Sequence, residues 1–114
     1  MIDYFGKKEN NSQVVSYDRL LFLSGVTAQD KRAPIAEQTR EVLRTIDARL
    51  AACGSDKSHL LTSTVFLADL TMKDEMNRVW IDWIDPARPP ARTCVGAQLT
   101  PGTLIEVSVI ACKA

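Results

Sequence analysis

One histidine, His59, and three cysteines, Cys53, Cys94 and Cys112, limit the chemistry open to this chain of 114 residues. A lone imidazole rules out a histidine-based metal cluster within one chain, and nothing beside it completes a Ser–His or Cys–His pair. His59 reads instead as a residue at the start of a strand. The cysteines form no C-x-x-C and are too few for a disulfide framework. Chemistry therefore falls to carboxylates, arginine, thiol and backbone groups. Arg92 and Cys94, two residues apart, and Glu106 on the last extended segment are the candidates that could share one surface. Taken alone, Arg92 and Glu106 would equally suit a solvated cross-strand ion pair worth about 0.2–1 kcal/mol. Cys94 alone would suit a small buried hydrophobe.

The elements that must position these residues follow from periodicity. Residues 1–10 mix charge and aromatic character without a period and read as an arm or a short edge strand. From Ser12 to Gly25 two extended segments meet around Tyr17-Asp18-Arg19, the second, from Leu20 to Gly25, a continuous apolar run that suits a strand buried on both faces. Pro34 suits a first helical turn, and Ile35, Val42, Leu43, Ile46 and Leu50 recur at helical spacing until Gly54 ends the helix. Leu60 to Leu70 reads as a strand. Thr71 is the expected N-cap of a second helix, with Asp74 near its positive end and Met72, Met76, Val79, Trp80 and Trp83 along one core-facing side. Three prolines between Asp85 and Pro90 end that helix. Strands Ala91 to Leu99 and Leu104 to Cys112 complete the order β-β-α-β-α-β-β. This is an α+β domain, expected to span residues 1–114, whose two helices cover one sheet face.

Alternation within the last two strands predicts which side chains face away from the helices. The expectation is Arg92, Cys94, Gly96 and Gln98 on one side, with Thr93, Val95, Ala97 and Leu99 toward the helices. Glu106 and Ser108 should share the open side, opposite Ile105, Val107 and Val109. With Phe66 and Leu23 beside them, the open face would be half apolar and half charged. Subunits that bury such a face against each other, with a polar cleft between them, resolve that conflict.

Composition narrows the function classes. Fourteen basic and fourteen acidic residues give a formal charge of zero, so nothing marks a nucleic-acid backbone as a partner. Hydrophobic residues at 46% and charged ones at 25% argue against disorder. No apolar run reaches the ~18–20 residues of a membrane span, and the start MIDYFGKKEN lacks a secretion signal. A cytoplasmic location is the expectation.

The stretch PARTCVGAQLTPGTLIEVSVIA, Pro90 to Ala111, resembles the C-terminal signature of the reactive intermediate deaminases, the RidA or YjgF-like family. There a Pro-Ala-Arg-Ser/Thr motif opens one strand, and an Ile/Val-Glu-Ile/Val strand follows about fourteen residues later. LLFLSG at Leu20 to Gly25, Gln38-Thr39 with Leu43 and Ile46, and TSTVFLADL with Met76-Asn77 resemble further family segments in the same order. The resemblance implies a chorismate-mutase-like fold and a homotrimer with three clefts between subunits. It also implies hydrolysis of 2-imino acids or their enamine tautomers, such as 2-aminoacrylate, to 2-keto acids and ammonia. By the same resemblance Arg92 holds the substrate carboxylate and Glu106 positions the attacking water. Cys94, Gly25 and the adjacent Ser24 line or support the cleft, and Asn77 stands at its rim. Many members carry a Tyr before their Ser-Gln-like pair; here Asn11 precedes Ser12-Gln13, which places the chain near subgroups lacking that aromatic wall. The reaction so implied needs no metal or organic cofactor. The alternatives are a non-catalytic, chaperone-like trimer that binds small carboxylates in the same cleft, and an endoribonuclease.

Overall fold

The computed structural model describes residues 1–114. The elements run β1 (Ile2–Lys7), β2 (Ser12–Tyr17), β3 (Leu20–Thr27), α1 (Ile35–Ala52), β4 (Leu60–Leu67), α2 (Lys73–Trp83), β5 (Ala91–Gly96) and β6 (Ile105–Cys112). They build a six-stranded mixed sheet in the order β1-β2-β3-β6-β4-β5, with only β4 and β5 parallel. The α+β layering read from periodicity is what the chain adopts: α1 and α2 pack on each other and on one sheet face.

Helix α1 forms where the apolar stripe predicts. Ile35, Val42, Leu43, Ile46 and Leu50 are all buried. It stops because Gly54 takes a positive φ of 76°, which lets the Cys53 and Ser55 amides turn back onto the Leu50 carbonyl. Beneath it, Leu21, Val65, Leu67, Ile105 and Val107 are fully buried. Each such side chain contributes about 1.5–3 kcal/mol by leaving water. The buried polar side chains include Gln38. Its amide nitrogen donates to the Ala33 and Gly102 carbonyls at 3.1 and 2.9 Å, and its carbonyl oxygen accepts from the Leu104 amide at 3.0 Å.

Several local expectations are corrected. Of the two readings of residues 1–10 the edge strand is adopted, and as β1 it adds a strand to the two counted before α1. β3 is not buried on both faces: Leu21 and Leu23 face the helices while Phe22 is 38% exposed. Leu23 thus leaves the open face on which it was expected. Strand β4 ends at Leu67 rather than Leu70, and β5 ends at Gly96. Thr71 is not a cap, because Asp69 accepts from the Thr71 amide at 2.9 Å and starts a short 3-10 turn, Leu70–Met72, that runs into α2. A carboxylate reaches the free amides more readily than the shorter Thr hydroxyl does. His59 closes another 3-10 turn just before β4, its Nδ1 2.8 Å from the Asp56 carboxylate.

Candidate functional site

Strand β5 sets the first group of candidate residues, and its phase is the reverse of the one expected. The register Ser63↔Arg92 and Val65↔Cys94 carries the helix-facing row of β4 onto β5. Ser63 and Val65 are both buried, so Arg92 and Cys94 point toward α2, while Thr93 and Val95 face solvent. Apolar content misled the alternation argument. At a sheet edge an arginine can lay its stem along the core and still carry its charge outward, while Val95 falls on the face that carries no helix.

On that side the guanidinium is held from two directions. Arg92 Nη1 donates to Asn77 Oδ1 at 2.8 Å, and Cζ lies 5.2 Å from the centre of the Trp80 ring. Nη2 and Nε make no hydrogen bond within the protomer. One edge of the fork is therefore free for an incoming carboxylate. Cys94 packs against the core. Ser63, the cross-strand neighbour of Arg92, has a buried hydroxyl with no hydrogen-bond partner.

The second group gathers on the opposite face. Glu106 shares a row with Thr27, Phe66 and, beyond Phe66, Val95. β3 bulges between Leu23 and Val26, which brings Gly25 so close to Glu106 that a Cβ there would collide with the carboxylate. Ser24 Oγ donates to the Ser12 carbonyl at 2.5 Å, and Asn11 immediately precedes Ser12 in the turn between β1 and β2. Ser24 thus ties β3 to the start of β2. Gly25 also borders a polar hollow of about 420 Å³ whose walls include Lys8, Glu41 and Arg49. Burial lowers the Arg49 pKa from its ordinary value.

The six-stranded order keeps the two groups apart. β6 and β5 are separated by β4, which is about 10 Å across the sheet, and Glu106 and Arg92 also project from opposite faces. A cross-strand ion pair between them is excluded. None of the hollows on the protomer is lined by either residue. Asn11 lies farther still, at the far edge of the sheet. Arg92, Cys94 and Asn77 therefore gather on the helix side of β5, and Glu106 with Gly25 on the other side of β6.

Sequence reasoning placed Trp80 in the core and missed its second contact. The ring is 5% exposed, yet one face meets Arg92. Only the phase of β5 reveals this, so no local signal in the helix sequence would have found it.

Comparison with known proteins agrees with this architecture over nearly the whole chain. The family described as Endoribonuclease L-PSP matches residues 3–113. A RutC family protein of Haemophilus ducreyi is 35% identical over 101 residues, covering 88% of this chain and 86% of its own. The RutC family protein YoaB of Escherichia coli is 37% identical over 101 residues, 88% of each chain. Among solved structures, a member of the YjgF protein family from Neisseria meningitidis superposes with a TM-score of 0.97 at 42% identity, covering 100% of this chain and 96% of the other. A protein of the Rid family from Yersinia pestis gives a TM-score of 0.85 at 29% identity, covering 93% and 90%. No helix is long and apolar enough to cross a membrane. In sequence and in fold, the chain belongs to the Endoribonuclease L-PSP family, as a RidA/YjgF-like protein.

Proposed function

We propose that this chain hydrolyses 2-imino acids and their enamine tautomers to 2-keto acids and ammonia, in clefts formed between copies of a homotrimer. The observation that carries the reading is the division of the site: Arg92 with a free fork edge on one face, Glu106 beside a glycine on the other. In a ring, the Arg92 half of one copy can meet the Glu106 half of the next. The open sheet face supports assembly. Ile2, Tyr4, Tyr17, Phe22 and Val95 are all at least 38% exposed there, an apolar surface that a monomer would leave in water.

Chemistry asks little of such a cleft. Arg92 binds the substrate carboxylate in a bidentate grip and fixes the iminium carbon. A water held by Glu106 attacks that carbon, losing a proton to the carboxylate as the C–O bond forms. The tetrahedral adduct takes the proton back on nitrogen; the C–N bond then breaks as the carboxylate accepts the hydroxyl proton, and ammonia leaves behind a keto acid. An enamine substrate is first protonated on carbon to give the same iminium. Cys94 takes no covalent part, because nothing near it activates a thiol.

The test is ammonia release from an imino acid generated in place by an amino-acid oxidase. The expected result is turnover by the wild type, a fall of about 100- to 10,000-fold in Glu106→Gln, and near-complete loss in Arg92→Ala. Cys94→Ser should keep its activity; if it were inert while Glu106→Gln worked normally, a thiol nucleophile would replace the water mechanism. Degradation of RNA by the same preparation, without imine hydrolysis, would replace the reading altogether.

A further inference from the structure

We propose that Trp80 is a positioning residue for Arg92: its indole face is the platform that holds the guanidinium with its free edge toward the cleft. The proposal rests on Arg92 being the carboxylate anchor. Three contacts fix the platform itself. Trp80 and Trp83 pack with ring centres 5.4 Å apart at 56°. Trp83 Nε1 donates to Asp47 Oδ2 on α1 at 2.9 Å, so the ring pair is tied to the longer helix. Lys57 covers Trp83 at 5.6 Å from its centre. The Arg92 side chain therefore meets a surface that is itself braced, rather than a mobile edge.

A braced face matters because an arginine loses rotamer freedom when it grips a ligand. Asn77 fixes Nη1 within the plane of the guanidinium, and Trp80 fixes the plane from one side. With both in place the fork is oriented before the ligand arrives, and the cation keeps an attractive partner. Phe can replace that face; Leu cannot.

Trp83→Phe leaves Trp80 as the only tryptophan, so its emission reports on the Arg92 contact directly. Titration with 2-oxobutanoate, a stable keto acid, should shift that emission as the carboxylate neutralises the nearby cation, and the shift should vanish in Trp83→Phe/Arg92→Ala. By calorimetry, Trp80→Phe should bind 2-oxobutanoate within about threefold of wild type, and Trp80→Leu about 5- to 30-fold more weakly. In turnover the Leu variant should raise KM and leave kcat nearly unchanged, since the platform serves ground state and transition state alike. A folded Trp80→Leu protein with wild-type affinity would overturn the proposal while sparing the anchor. So would an unmoved Trp80 emission during Arg92-dependent binding, a readout that stands even where Trp80→Leu fails to fold. Equal binding by wild type and Arg92→Ala would remove the anchor and the platform together.

Discussion

Mixing two inactive proteins should restore activity, and by a calculable fraction. Arg92→Ala destroys one half-site and leaves Glu106 intact; Glu106→Gln does the reverse. Because the two residues project from opposite faces with β4 between their strands, no single copy can bring them together. In a three-membered ring each cleft draws one half from each of two neighbours. When the variants are refolded together in equal amounts, about a quarter of the clefts receive both an intact Arg92 and an intact Glu106. Ammonia release should then rise from near zero in either parent to about a quarter of the wild-type rate. Native mass spectrometry would establish that mixed rings have formed. A verified mixture no more active than its parents would refute the reasoning, since it would mean that both residues serve within one copy or that one of them does not serve at all. The ratio does not depend on the absolute rate, so a poor substrate does not blur the answer.

Gly25→Ala should separate stability from chemistry. The added methyl collides with the end of the flexible Glu106 side chain rather than with backbone, so urea unfolding should shift by less than about 1 kcal/mol while imine hydrolysis falls tenfold or more. Acid should weaken the fold through the turn before β4. The Asp85 carboxyl is held below its ordinary pKa by the Ser58 hydroxyl and then the Ala87 amide, and Asp56 is held below its own by His59. A pKa depressed on folding stabilises the protein above the unfolded value, near pH 4, and that contribution disappears as pH falls through the folded value. Urea midpoints should therefore drop between pH 5 and pH 3, and Ser58→Ala should flatten the drop; an unchanged slope would count against the Asp85 contact.

The helices were legible because their apolar residues repeat at a single period over long segments, and Gly54 marks an end that any L side chain would strain. β6 was legible for a similar reason, its alternation being unbroken from Ile105 to Val109. β5 was not. It is an edge strand, parallel to β4, and Thr93 and Val95 are as apolar as Arg92 and Cys94 are ambiguous, so composition pointed to the wrong face. Only pairing with β4 decides the phase, and pairing is a property of the whole sheet. Residues 1–10 stayed open between an arm and an edge strand because every residue of β1 is exposed, leaving no periodic burial to read. Family resemblance named candidate residues along the chain, yet it did not say that Arg92 and Glu106 project from opposite faces of the sheet.

Gln38 has a consequence for error-proofing during folding. Its side chain grips the Gly102 carbonyl and the Leu104 amide, the last backbone groups before β6 begins. A slip of one residue in β6 would turn Glu106 inward among apolar side chains and push Ile105, Val107 and Val109 into water. It would also leave a buried amide without partners, at a cost of about 1–3 kcal/mol. The glutamine thus acts as an index pin: it ties the start of the first helix to a fixed point on the last strand. Through that pin the strand presents its single carboxylate on the outer face in every correctly folded copy.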